Sequence, residues 1–312
     1  MRETRQFLES IQLPAADQPV AASSQKRFPD GAQYRVEIPS VEGPAVFASV
    51  LQEAARRGVR VNRVSQGSGG FLCTSAELDD WAAQAADAGV EISIFARPLA
   101  GWGTGAAAYS SGSAGLPTQA RGAEQLVHVL EDIRRVAEHG FRSVLVTDLG
   151  VLSVAARMRA AGDLPADLQF KASVQMGLAN PAAIRLAAEI GADTYNVPTD
   201  LTLPQLASIR AAVDIPLDIY VEAPDDLGGF MRYYEIAELV TVCAPVYLKF
   251  GLRNSPNIYP SGGHLQDLAT AMAVERVRRA ELGLELLTRY LPEAVTSELG
   301  AADQALISPS VR

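Results

Sequence analysis

One phrase recurs along this 312-residue chain and limits what it can become. AARRGVRV, AADAGVEI, VAEHGFRS and LAAEIGADTY each run from an Ala-rich helical pattern through a glycine (Gly58, Gly89, Gly140, Gly191) toward a strand. Glycine tolerates the left-handed backbone with which a helix stops and turns. With that marker the chain from Tyr34 onward divides into eight strand–helix units. The predicted strands are 34–38, 60–65, 90–97, 142–148, 168–174, 193–197, 217–222 and 245–250. The predicted helices lie near 43–57, 75–88, 121–138, 150–161, 181–190, 203–213, 231–241 and 264–290. Thr74, three residues before Glu77, predicts a capping box, and Asn180-Pro181 places Pro in a first helical turn. Eight repeats within ~260 residues predict an α/β chain folded as a (β/α)8 TIM barrel rather than a doubly wound sheet.

Residues 1–30 stand outside this pattern and read as an N-terminal arm or linker, leaving 31–292 as the barrel and 293–312 as a C-terminal tail. The long C-terminal helix carries ERVRRAELGLELLTRYL (275–291), amphipathic enough for a packed outer helix or a homo-oligomer contact. With 27 Lys+Arg against 36 Asp+Glu the formal charge is −9, without a basic block, so neither nucleic acid nor a membrane surface is expected as a partner. No apolar run approaches the ~18 residues of a spanning helix. The start, MRETRQFLESIQ, lacks the apolar stretch of a secretory signal, so a cytoplasmic location is the expectation. Cys73 and Cys243 form no CxxC pair, which argues against a disulfide framework, a zinc site or an iron–sulfur cluster.

Strand parity carries the functional reading, because alternate side chains of a barrel strand face the helices and the axis. In PVYLKFG the apolar Val246, Leu248 and Phe250 take the helix side, which turns Tyr247 and Lys249 inward. In LQFKASVQ the same sorting puts Gln169, Lys171, Ser173 and Gln175 inside, and in LDIYVEA it puts Asp218, Tyr220 and Glu222 inside. Arg35, Glu91, Gln169 and Asp218 come early in their strands and are expected as a self-satisfied network near the barrel floor. Glu37, Gln66, Arg97, Asp148, Lys171, Ser173, Gln175, Asn196, Glu222 and Lys249 come late, at the face where barrel enzymes do chemistry.

Lys171 and Lys249, with Glu222 and Asp148 as partner carboxylates, suit acid–base or Schiff-base chemistry beside a carbonyl, since a crowded or desolvated lysine loses pKa. The plainer reading is Lys–Glu ion pairs that hold the barrel together. Glu37, Asp148 and Glu222 could instead hold Mg²⁺ or Mn²⁺. Of the three histidines, only His264, in the segment after strand eight, is placed to act; His128 and His139 fall on the third helix. Arg97, Arg253 and Asn196, with Glu37, Gln66, Ser173, Gln175 and His264, are the candidate substrate-binding set. SQGSGG (65–70) offers backbone N–H groups to an anion or is a tight turn. PLAGWGTGAAAYSSGSAGLPTQ (98–119), with Trp102 and Tyr109, has the length of a lid. GWGTGA (101–106) follows Pro98 and has no prompt helix after it, which breaks the context of a dinucleotide site, so no nucleotide cofactor is expected.

YRVEIPSVEG, SQGSGG, YVEAPDDLGG and YLKFGLRNSPNIYPSGGHL resemble bacterial barrel proteins grouped as peptidase family U32-like, over most of residues 31–290. The resemblance implies a barrel and a hydrolase activity. Related proteins with iron–sulfur clusters use four cysteines; two are present here, so no cluster follows, and no catalytic residue is carried over. Three functions stay open: a lyase, aldolase or isomerase acting on a small anionic metabolite such as a sugar acid or keto acid, a hydrolase with or without metal, and a ligand-binding barrel without catalysis.

Overall fold

The computed structural model describes residues 2–17, 23–98 and 118–308. Eight parallel strands close into a barrel in sequence order: β1 (Tyr34–Pro39), β2 (Arg63–Ser65), β3 (Glu91–Phe95), β4 (Ser143–Val146), β5 (Gln169–Ala172), β6 (Thr194–Asn196), β7 (Leu217–Glu222) and β8 (Val246–Phe250). After the arm helix α1 (Arg2–Ser10) come α2 (Pro44–Arg57), α3 (Ser75–Ala88), α4 (Gly122–Glu138) and α5 (Leu149–Ala161). They are followed by α6 (Pro181–Glu189), α7 (Leu203–Ala212), α8 (Ile236–Cys243) and the long α9 (Gln266–Tyr290). The chain is therefore a (β/α)8 barrel with a long C-terminal helix. Trp102 and Tyr109, the expected lid aromatics, lie outside the described residues. Among the described residues, no helix is long and apolar enough to cross a membrane.

The helix ends follow the local chemistry. Gly58 and Gly89 close α2 and α3 in the left-handed conformation, at φ 65° and 62°. The Thr74 hydroxyl accepts from the Glu77 amide at 3.3 Å while the Glu77 carboxylate accepts from the Thr74 amide at 2.7 Å, completing the capping box. Thr74→Ala is expected to lower stability by about 1 kcal/mol, seen as a lower urea midpoint with an unchanged slope. The helix expected from 231 starts at Ile236. Residues before it are held by the sheet instead: Met231 bridges Glu222, and the Arg232 amide donates to Val221 at 2.7 Å.

Outward-facing Val36, Ile38, Val64, Ile92, Phe170 and Leu248 are fully buried beneath the helices. Each such side chain contributes roughly 1.5–3 kcal/mol by leaving water. Trp81 of α3 wedges between Phe47 and Phe141, with ring centroids 6.4 and 6.1 Å away. In α9, Gly283 lets Phe250 of β8 approach; a Cβ there would stand 2.5 Å from the ring. This helix is packed on the barrel over much of its length, burying Ala273, Val277, Ala280 and Leu287.

The segment expected as a tail seats, over 293–308, against the barrel floor. Thr296 bridges Tyr34, Asp303 lies 2.6 Å from Arg35, and Gln304 donates to the Asn62 carbonyl at 2.7 Å. The arm reaches the same end, where Phe28 stacks under the Arg35 guanidinium at 3.9 Å. Phe28 of the arm and residues 293–308 thus lie at the face opposite the mouth.

Candidate active site

Strand register assembles the interior. Glu37 of β1 lies opposite Arg63 of β2 on one side and Lys249 of β8 on the other. One carboxylate is thereby set between two cations before any side chain bends. From β5, across the barrel, Lys171 reaches the same carboxylate and bonds to it. Arg63 Nη2 stands 2.6 Å from both Glu37 and Asp218, and its guanidinium stacks 3.5 Å over the Tyr247 ring. Lys171 Nζ lies 2.9 Å from Asp218. Lys249 Nζ donates to Asn196 Oδ1 at 2.6 Å and lies 3.2 Å from Glu37. All these side chains are buried. Arg63 also stands 3.6 Å from Glu91, so three cations face three carboxylates.

Two consequences follow for protonation. Burial opposes ionisation of Glu37, yet the charges of Arg63, Lys171 and Lys249 outweigh it and hold the carboxyl well below its usual range. For Lys171, burial comes first and the neighbouring Arg63 adds to it; together they lower the amine to about 8 despite Asp218 and Glu37. Only part of the floor expectation holds. Arg35 and Gln169 tie to Asp303 at the base, whereas Asp218 belongs to the central cluster with Lys171.

Above this cluster, at the C-terminal ends of the strands, opens a cavity of about 430 Å³. Of the residues expected there, Gln66, Arg97, Ser173, Gln175, Asn196 and Lys249 line it. Lys171 and Glu37 do not; they sit in the ion cluster among Arg63, Asp218 and Lys249. Tyr220 joins the wall, with Lys249 Nζ 4.4 Å from its ring centroid. Arg97 donates to the Gly67 carbonyl at 2.9 Å. The loop at 65–70 does bind an anion, but that anion is the chain's own: the Gly67 and Ser68 amides donate to the Glu42 carboxylate at 2.8 and 3.2 Å. Gly67 is required by the packing, because a Cβ would fall 2.4 Å from the Tyr259 ring.

Four expected residues are not brought into the mouth. Asp148 follows the end of β4 and caps α5, accepting from the Val151 amide at 2.9 Å and from the Ala120 amide at 3.0 Å. Glu222 is turned away by a β-bulge after Tyr220, which aligns it with helix-facing Phe250. There it accepts from the Tyr233 hydroxyl at 2.5 Å and from the Arg253 amide at 2.9 Å. The Arg253 side chain is 55% exposed and pairs with Asp225 at 3.4 Å. His264 is exposed in a short 3₁₀ turn before α9. With Asp148 and Glu222 elsewhere, the candidate metal set Glu37, Asp148 and Glu222 does not converge. Among the described residues no group of three or more His, Cys, Asp or Glu side chains is arranged to hold a metal.

Arg63 and Arg276 were missed. Arg63 was legible, since helix-facing Val64 turns its neighbour Arg63 inward. Arg276 comes from α9, where no strand rule reaches.

Fold and mouth together define a (β/α)8 barrel with a polar cavity whose wall carries Arg97, Lys249 and Arg276 together with Asp225 and Asp226. The resemblance to family U32 is borne out by a family model described as Peptidase family U32, which matches residues 118–223. Among solved structures, a U32 peptidase is similar at 13% identity and a TM-score of 0.41, over 77% of this chain and 97% of that one. A truncated 3-deoxy-D-arabino-heptulosonate 7-phosphate synthase from Thermotoga maritima is similar at 13% identity and a TM-score of 0.47, over 86% and 91%. Ribulose-1,5-bisphosphate carboxylase/oxygenase from Pyrococcus horikoshii gives 11% identity and 0.44, over 84% and 66%. At such identities the likeness concerns the fold. No curated protein sequence matches the chain.

Proposed function

We propose that this chain is an enzyme of lyase, aldolase or isomerase type that moves a proton beside the carbonyl of a small anionic metabolite, a sugar acid or keto acid. The observation that carries the reading is Lys249, which lines the cavity while Asn196 and Glu37 hold its Nζ from the protein side. Two oxygen acceptors on one Nζ favour the ammonium. A Schiff base needs the amine uncharged, so the acid role is preferred over the covalent one. An ammonium fixed in this way donates a proton to the carbonyl oxygen. It stabilises the oxyanion that forms as a base on the same wall, Asp226, takes the proton from the carbon beside the carbonyl. Glu37 acts through Lys249 as its counter-charge. Arg97 adds positive charge to the wall, and Ser173 and Gln175 offer groups for substrate hydroxyls.

The family match favours hydrolysis as the second reading. Against it, the described residues that line the cavity include neither His nor Cys, and burial pushes the Cys73 and Cys243 thiols up to about 12. Among the described residues, then, neither a thiolate nor an imidazole stands at the cavity to serve as nucleophile or to activate one.

The test is solvent exchange. In D2O the wild type is expected to wash out the proton beside the carbonyl of at least one 2-oxo acid, followed by NMR, and Lys249→Met is expected to slow this by about 10²–10⁴-fold. Exchange at the wild-type rate in that variant would remove Lys249 from the reaction. Tight binding without exchange or turnover would favour a non-catalytic barrel.

A further inference from the structure

The last helix sends a buried cation into the mouth. Arg276 of α9 is 3% exposed and lines the cavity, as does Met272 one turn earlier on the same face. Among the described residues no carboxylate lies within ion-pair distance of it. Its one hydrogen bond there is a long contact from Nη1 to the Ser40 carbonyl at 3.4 Å, and Nε is buried without a partner. This contrasts with Arg63, which shares the interior with three carboxylates. A guanidinium taken from water without a counter-ion at ion-pair distance carries a heavy penalty, which the more distant charges of Glu42 and Glu222 offset only in part.

We infer that Arg276 is the docking point for a carboxylate of the substrate. This deepens the proposal made for Lys249 and rests on it. A carboxylate fits better than a phosphate. A phosphate has more oxygens to satisfy and is usually cradled by backbone amides as well as a cation. The loop amides that could serve, Gly67 and Ser68, are committed to Glu42. What remains is a planar fork, whose shape matches two coplanar oxygens, in a cavity wall shared with Tyr259, whose hydroxyl is bonded to Ser40.

The experiment is calorimetric titration of oxalate, a planar mimic of a 2-oxo acid enolate, and of inorganic phosphate into wild type, Lys249→Met, Arg276→Lys and Arg276→Met. Oxalate is expected to bind wild type and to weaken at least tenfold in Arg276→Met; it is also expected to weaken in Lys249→Met, because the same ligand meets that Nζ. Arg276→Lys keeps the charge without the fork and is expected to weaken binding at least threefold. Unliganded Arg276→Met is expected to melt at or above the wild-type temperature, since the unpaired charge is gone. Undiminished oxalate binding in both Arg276 variants, tighter binding of phosphate than of oxalate, or no oxalate binding to the wild type overturns the inference. So does a melting temperature well below that of the wild type, which would make Arg276 a structural support. If Arg276→Met does not fold, Arg276→Lys decides by the same threefold criterion. Loss of the Lys249 reading is seen separately, as unchanged solvent exchange in Lys249→Met.

Discussion

Glu37→Ala is expected to lose at least about 3–5 kcal/mol of folding stability, the scale set by breaking a buried ion pair from one side. Glu37 is fully buried and faces Arg63, Lys171 and Lys249 at once. Its removal leaves Asp218 as the one carboxylate in direct contact with Lys171, and leaves Lys249 without an ionic partner among the described residues. Glu37→Gln keeps the shape and one acceptor, so it is expected to lose less while still lowering the urea midpoint clearly. A Glu37→Ala variant as stable as the wild type would mean that the cluster is not held by charge.

The second large effect is a dependence of stability on pH set by Lys171. Its amine is lowered to about 8 in the folded chain, against 10.5 for the ordinary side chain, by burial and then by Arg63. Below 8 both states carry the proton and the native state bears the penalty. Between 8 and 10.5 the unfolded chain binds more protons, so stability rises with pH across that window. The full gain is on the order of 3 kcal/mol. Lys171→Met lacks this titration. The wild type, measured as urea midpoints at pH 7, 8.5 and 10, is therefore expected to gain on that variant as pH increases. A difference between the two proteins that stays constant would contradict the assignment.

What could be read ahead of the structure follows the range of the forces involved. The barrel was legible because capping glycines and period-two strands are local. The same alternation found Lys171, Lys249, Asn196, Ser173 and Gln175. Parity failed at Glu222, because one bulged residue in β7 reverses the side that later residues face. It failed at Asp148 because β4 ends at Val146 and the next carboxylate serves as a helix cap. The depth of a side chain was not legible: Lys171 and Lys249 look alike in sequence, yet only Lys249 lines the cavity. Depth depends on which strands stand side by side, a property of closure. Arg276 was beyond reach for a related reason, since a helix residue enters the mouth only through the packing of α9 over the barrel.

The central claim is that Lys249 and Arg276 face a common mouth and grip one small acid. A crystal structure of the oxalate complex tests it most directly. Density for oxalate is expected in the cavity, with a carboxylate on the Arg276 guanidinium and an oxygen within hydrogen-bond distance of Lys249 Nζ. An empty mouth at saturating oxalate, or oxalate held there without touching either side chain, would contradict the claim.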